Sequence, residues 1–222
     1  MNAIPLEREI EYPTSDGQPM AESSHHQTVM FDLIFGLRYH YDSVPDLWVG
    51  GNLFLCYEQG NPAACIAPDL LVAQGVTKWL RPNYLLWNET IPSLVAEVTS
   101  RKTRREDQTR KKSVYERIGV EEYVLFDPLG DYLRPRLQGY RLEGKRYRPI
   151  SLEEDGSLLC RSLNLTLRPE GYRLRAVDNR MGKPVLWPDE FPSVLAQETA
   201  ARQASEERIR ALEDELSRLR KR

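Results

Sequence analysis

Two carboxylates and one lysine stand out in the sequence because of the residues around them. Asp69 and Glu97 each lie in a short apolar run, residues 66–72 and 92–99, and Lys111 follows in a charged segment. A buried carboxylate costs free energy unless something compensates its charge. Mg²⁺ is a natural compensation, because one or two protein carboxylates often hold it together with water and substrate phosphate oxygens. The pattern therefore indicates cleavage of a phosphodiester bond.

The predicted secondary structure gives these residues a common direction. Alternate residues of a strand share a face, so Glu97 and Thr99 are expected to point the same way, and the Thr99 carbonyl is a candidate further ligand. Asp107, Lys111 and Tyr115 are spaced by four and share a face of the next helix. A lysine there could position the attacking water and stabilise the developing charge. Plainer interpretations stay open: an ion pair of Glu97 with a nearby arginine, and a surface pair of Asp107 with Lys111.

Basic residues cluster directly after Glu97, although the whole chain carries a formal net charge of −2. That net charge excludes a global positive field, so any contact with DNA must be local. A solvated helix face interrupted by Glu106 and Asp107 would give the same pattern. The residues that we predict to bind nucleic acid are Arg101, Lys102, Arg104, Arg105 and Lys112.

The elements that must position these residues follow from the spacing of apolar side chains. Intervals of three and four predict an amphipathic helix from about residue 21 to 41. Thr103 and Glu106 have the spacing of a capping box, so a second helix is expected from there to Ile118, with Gly119 at its end. The order strand, helix, strand implies at least one parallel strand pair. The predicted strands are residues 47–57, 65–73, 94–99, 122–127, 137–142, 146–152, 157–160 and 163–167.

The chain divides into three predicted regions. Residues 1–20 are polar and contain three prolines, so we expect an extended arm. Residues 21–180 form one predicted globular domain. Residues 192–222 are rich in Ala, Glu and Arg and predict a long charged helix, whose last two heptads have an apolar seam. A coiled coil and a solvated helix both fit this seam.

The apolar stretches, the N-terminal residues and the cysteines predict a cytoplasmic protein with no membrane partner. No stretch approaches the roughly 20 apolar residues that a membrane span requires, and the charged N-terminus does not resemble a signal peptide. Cys56, Cys65 and Cys160 are expected to be reduced core thiols, because they are widely spaced and do not match the spacing of a zinc site.

The order of elements and several motifs resemble the Uma2 family of endonucleases (DUF820), a branch of the PD-(D/E)xK nuclease superfamily related to restriction endonucleases. The resemblance covers roughly residues 12–178, and a C-terminal helix is frequent in such proteins. It implies an α/β core with a central mixed sheet flanked by helices, and Mg²⁺- or Mn²⁺-dependent cleavage of DNA. The matching residues are the pair Pro68-Asp69, then Glu97, then Asp107-x-x-x-Lys111-x-x-x-Tyr115-x-x-x-Gly119-Val120-x-Glu122-Tyr123-x-x-x-Asp127-Pro128.

The resemblance also assigns roles. Asp69 and Glu97 match the metal ligands, and Lys111 matches a lysine displaced to the helix, because Thr99 stands where the superfamily pattern has its lysine. Glu22 is the match for an acidic residue that the first helix often supplies. A non-catalytic protein that keeps the nuclease fold for nucleic-acid binding or assembly is the competing hypothesis. A homodimer through the core or through the C-terminal helix is compatible with either function.

Overall fold

The structure is a computed structural model and describes residues 11–14 and 23–220. It divides into two units, Met1–Val185 and Leu186–Arg222. Within the described residues, the helical segments are α1 (Ser24–His40), α2 (Arg104–Glu106), the π-helical turn π1 (Asp107–Lys111), α3 (Lys112–Ile118), a 3₁₀ turn (Pro188–Glu190) and α4 (Phe191–Arg220). The strands are β1 (Leu47–Gly50), β2 (Leu55–Cys56), β3 (Cys65–Ile66), β4 (Leu70–Gln74), β5 (Tyr84–Leu85), β6 (Leu94–Val98), β7 (Glu122–Phe126), β8 (Leu137–Glu143), β9 (Arg146–Pro149), β10 (Leu158–Cys160), β11 (Leu165–Glu170), β12 (Arg173–Asp178) and β13 (Lys183–Pro184).

A six-stranded mixed sheet in the order β1-β4-β6-β7-β8-β9 is the centre of the first unit. Strands β6 and β7 are parallel, as the strand, helix, strand order predicts, and the other neighbours are antiparallel. The α/β fold class with a central mixed sheet is therefore confirmed. Smaller sheets join β10 to β13 and β3-β2-β5. Strands β5, β12 and β13 were not predicted from the sequence.

Both faces of the central sheet are covered, and this fixes the direction of Glu97. Along β6, Leu94, Ala96 and Val98 pack into the core that contains α1. Val95 packs into the opposite core, together with Val114 and Tyr115 of α3. Because side chains alternate along a strand, Glu97 lies on the face of Val95 and points toward π1 and α3.

Local hydrogen bonds and one glycine set the ends of the helices next to the sheet. Ser23 caps α1 by accepting a hydrogen bond from the His26 backbone N–H at 3.3 Å. The predicted capping box at Thr103 is wrong: its hydroxyl accepts a hydrogen bond from the Ser100 N–H at 3.1 Å and does not cap the helix. Gly119 ends α3 as expected, with a φ of +91° that favours glycine.

The expectation of reduced thiols is wrong for two of the three cysteines. Cys56 and Cys65 form a disulfide bond, and Cys160 is free and buried. Strands β2 and β3 pair antiparallel and place these two cysteines directly opposite each other, with their Cα atoms 4.1 Å apart. The sequence separation of nine residues gave no sign of this pairing register.

The second unit contains the helix α4, which is 30 residues long. Its apolar side chains are exposed, at 48–65% of their full accessibility: Leu195, Ile209, Leu212, Leu216 and Leu219. None of the helices in the described residues is long and apolar enough to cross a membrane. Most of the predicted N-terminal arm, and Glu22, lie outside the described residues.

Candidate active site

Asp69 and Glu97 meet where β4 and β6 pair. These antiparallel strands pair as far as Leu70 and Ala96, and Asp69 and Glu97 are the residues immediately beyond that last pair. The charge of Asp69 is close enough to raise the pKa of Glu97. Asp69 Oδ2 also accepts a hydrogen bond from the Val98 N–H at 2.7 Å, which fixes its carboxylate against β6.

Lys111 and Tyr115 reach the same carboxylate from the helix above the sheet. Lys111 Nζ lies 2.8 Å from Glu97 Oε2 and donates a second hydrogen bond to the Ala67 carbonyl at 3.0 Å. The Tyr115 hydroxyl donates to Glu97 Oε1 at 2.7 Å. Asp107 Oδ1 is 3.7 Å from the same ammonium group. The structure thus brings together five of the residues that the sequence singles out.

The π-helical turn π1 explains why three residues spaced by four all face the site. In a regular α-helix, eight residues advance about 80° beyond two full turns, so Tyr115 would be rotated well away from Asp107. A π turn advances each residue by a smaller angle and offsets this drift. Asp107, Lys111 and Tyr115 therefore stay in one row along the helix. Such turns occur frequently at functional sites.

His26 is a site residue that the sequence did not assign. Its Nε2 lies 3.3 Å from Asp69 Oδ1, and its side chain is buried at the first turn of α1. The neighbouring His25 does not reach the site and packs its ring against Tyr172. Only the packing of α1 against the sheet brings His26 to Asp69, so spacing in the sequence could not have revealed it.

Burial controls the protonation of this site. Glu97 is 1% exposed, and burial, opposed by Lys111 and reinforced by the charges of Asp69 and Asp107, raises its pKa to about 8. Burial likewise raises the pKa of Asp107 to about 6. Burial lowers the pKa of Lys111, but the surrounding carboxylates outweigh it and raise the pKa above its ordinary value. The site thus holds more negative charge than one lysine balances, which favours an added cation or a proton on Glu97.

Three buried oxygen atoms near the site have no hydrogen-bond partner of ordinary geometry. They are both carboxylate oxygens of Asp107, one of which is 3.7 Å from Lys111 Nζ, and the hydroxyl oxygen of Thr99. Among the described residues, no group of three or more His, Cys, Asp and Glu side chains is arranged to enclose a metal ion. Two carboxylates, Asp69 and Glu97, remain as candidate ligands, and this is the number that often holds Mg²⁺ together with water and phosphate.

Most of the predicted nucleic-acid-binding residues lie on the surface beside this site. Arg101, Lys102, Arg104 and Arg105 are exposed, and none of them forms an ion pair with a described carboxylate. Lys112 differs, because it is half-buried with its ammonium group 3.4 Å from the centre of the Tyr140 ring. The four arginine and lysine side chains are therefore free to meet phosphates.

Comparison with known proteins identifies the family of this chain. The family model Uma2, described as "Putative restriction endonuclease", matches residues 2–170. A solved structure titled as a "putative nuclease belonging to DUF820", from Anabaena variabilis ATCC 29413, matches with 13% identity over 62% of this chain and 72% of that chain, at a TM-score of 0.45. No curated protein matches the chain. Because the family model covers most of its length, the chain belongs to the Uma2 family.

Proposed function

We propose that this protein is a divalent-metal-dependent endonuclease that hydrolyses phosphodiester bonds of DNA. The observation that carries the proposal is the placement of Asp69 and Glu97 at the adjoining ends of β4 and β6, with Lys111 Nζ 2.8 Å from the Glu97 carboxylate. Membership of a family described as restriction endonucleases supports the same chemistry. The net negative charge of the site supplies the physical reason for Mg²⁺ or Mn²⁺ as cofactor.

Each residue has a distinct proposed role. Asp69 and Glu97 would hold the metal ion, and the Thr99 backbone carbonyl could serve as a further ligand. When bound, such an ion polarises the scissile phosphate and lowers the pKa of a bound water. The Lys111 ammonium group is oriented by two acceptors, Glu97 and the Ala67 carbonyl, so its charge is preorganised to stabilise the phosphate oxygen that becomes more negative. Tyr115 fixes the other oxygen of Glu97.

Asp107 supports Lys111 without touching the substrate. Its carboxylate lies 3.7 Å from the ammonium group and helps to keep that group charged. The exposed side chains of Arg101, Lys102, Arg104 and Arg105 are the proposed contacts to the DNA backbone. Lys112 would have to leave the Tyr140 ring to join them. Binding through such contacts releases condensed counterions, so DNA affinity should fall steeply with salt.

The helix α4 is the proposed surface for self-association. Ile209, Leu212, Leu216 and Leu219 follow the 3,4 spacing of a and d positions and are exposed. In a parallel pair, Arg208 at position g faces Glu213 at position e of the partner helix. In an antiparallel pair aligned on the same seam, Glu213 would face its own copy. The charge pattern therefore favours a parallel dimer, and its two heptads make it a weak one.

The test of the proposed function is nicking of supercoiled plasmid with Mg²⁺, with Mn²⁺ or with EDTA. The test variants Asp69→Asn, Glu97→Gln and Lys111→Met should each lose about 100-fold or more of the activity. The matched controls are exposed residues of the same types: Asp42→Asn, Glu143→Gln and Lys145→Met.

Equal activity in test and control variants would mean that the cutting does not come from this site. If the wild-type protein cuts no DNA with either metal, the nuclease proposal fails. The competing hypothesis, a non-catalytic nuclease fold that binds nucleic acid or assembles other components, would then take its place.

A further inference from the structure

Two loops leave the central sheet at the same edge, next to Glu97. Strands β6 and β7 are parallel, so the segments that follow them, residues 99–106 and 127–136, start side by side. The Thr99 N–H donates to the Phe126 carbonyl at 2.7 Å, and this hydrogen bond joins the two segments where they leave the sheet. The first loop carries the proposed DNA contacts. We call the second loop, residues 127–136, the Asp127 loop.

Asp127 holds the Asp127 loop in a fixed conformation. Its side chain is buried and accepts hydrogen bonds from the backbone N–H groups of Gly130 at 3.0 Å, of Leu133 at 2.9 Å and of Tyr132. A carboxylate that accepts several backbone N–H groups is a strong local anchor, because each of these hydrogen bonds involves a charge. The loop therefore presents Tyr132 and the exposed Arg134 from a rigid base.

The two loops contact each other through Arg104 and Tyr132. The Arg104 guanidinium lies over the Tyr132 ring, 5.6 Å from its centre. A cation–π contact of this kind orients the guanidinium without neutralising it, in contrast to a carboxylate partner. Arg141 shows the contrast, because its guanidinium lies 2.8 Å from a carboxylate oxygen of Glu122. Arg104 thus keeps its full charge in a defined position at the edge of the site.

We propose that the Asp127 loop is a second wall of the DNA-binding surface. In this arrangement Arg134 contacts a backbone phosphate, and Tyr132 is a positioning residue that holds Arg104 toward the same nucleic acid strand. The chemistry fits a polyanion with regularly spaced charges, since the first loop has four basic residues against one acidic residue, and the Asp127 loop adds the exposed Arg134 while its Asp127 is buried. The inference rests on the proposed function only in taking DNA as the ligand.

The test measures binding without cleavage. Fluorescence anisotropy of a short labelled DNA duplex is recorded in EDTA over a series of salt concentrations. Arg134→Ala should weaken binding and reduce the slope of log K against log salt by about 0.9, the value expected for one lost phosphate contact. Arg148→Ala, which removes an exposed arginine of β9, is the matched control and should change neither quantity.

A double-mutant cycle separates the positioning role from a general loss of affinity. Arg104→Ala and Tyr132→Ala should each weaken binding, and Tyr132→Ala should add nothing once Arg104 has been removed. Tyr132→Phe keeps the aromatic ring and should keep wild-type affinity. If the two alanine substitutions weaken DNA binding independently, so that their effects multiply in the double variant, the positioning role of Tyr132 is overturned. An Arg134→Ala variant that behaves like Arg148→Ala would overturn the second wall.

The result is separable from that of the plasmid assay. If the variants lose DNA binding as expected but the wild-type protein never cuts, the nuclease proposal fails and the binding surface stands. If the protein cuts DNA but Arg134, Tyr132 and Arg148 variants bind alike, this inference fails and the nuclease proposal stands. A wild-type protein that does not bind the duplex at low salt would overturn the inference outright.

Discussion

Replacing Glu97 with glutamine should stabilise the metal-free protein at high pH. Burial raises the folded-state pKa of Glu97 to about 8, against an ordinary value of 4.5. A raised folded-state pKa means that the folded protein holds a proton that the unfolded chain releases. The stability that this proton provides is therefore complete below about pH 4.5 and is lost as the pH rises through 8. Glutamine resembles the protonated carboxyl group and does not titrate.

The magnitude follows from the two pKa values. Their difference corresponds to roughly 5 kcal/mol of stability lost by the wild-type protein between these pH values, at 1.36 kcal/mol for each pH unit. The charge of Lys111 already contributes to this figure, since it opposes the effect of burial. The advantage of Glu97→Gln in the free energy of unfolding should be small at about pH 5 and should grow by a few kcal/mol toward pH 8.

The assay is urea unfolding in EDTA at several pH values, followed by tryptophan fluorescence, because Trp48 is buried in the core on the Glu97 side of the sheet. Glu143→Gln removes an exposed carboxylate and should leave the pH profile unchanged. The reasoning would be refuted if Glu97→Gln were less stable than wild type at pH 8 and this deficit in the free energy of unfolding were no smaller than at pH 5. The ion pair with Lys111 would then outweigh the cost of burying Glu97.

Further variants test other parts of the structure. Gly51→Ala should abolish metal-dependent nicking and lower the melting temperature, because a Cβ atom there would lie 2.0 Å from the Asp69 carbonyl oxygen. Asp127→Ala leaves three N–H groups without their acceptor, so it should cost about 1–3 kcal/mol in urea unfolding and reduce DNA affinity at least as much as Arg134→Ala. Leu216→Asp should abolish any concentration-dependent dimer in sedimentation equilibrium; an unchanged dimer would exclude the α4 seam.

Local sequence patterns were sufficient for the elements that carry the site. Apolar intervals of three and four predicted α1 within a few residues at each end, and the apolar run ending at Asp127 predicted β7. The parallel pairing of β6 and β7 followed from the order of elements, because a helix between two strands nearly always makes a right-handed crossover. The order of elements, the Pro68-Asp69 pair, Glu97 and the motif from Asp107 to Pro128 together predicted the family, and the match of the family model confirmed it.

Local details of strands and helices that depend on residues distant in the sequence were harder to predict. The run from Cys65 to Ala73 is two separate strands, β3 and β4, in two different sheets, and the break falls at Ala67 to Asp69, where the site begins. Thr103 had the correct spacing for a capping box, but its hydroxyl bonds to the loop before the helix. A π-helical turn inside a helix of ordinary composition carries no sequence signal.

The sequence by itself determined which residue types could bind a metal, which face of each strand and helix they occupy, and to which family the chain belongs. Only the tertiary structure decided that Asp69 and Glu97 come together, that His26 reaches Asp69, that Cys56 bonds to Cys65 and that Arg104 rests on Tyr132. Periodicity is a property of neighbouring residues and fixes the direction of a side chain. Strand register and helix packing depend on burial summed over the whole chain, and they decide which side chains meet.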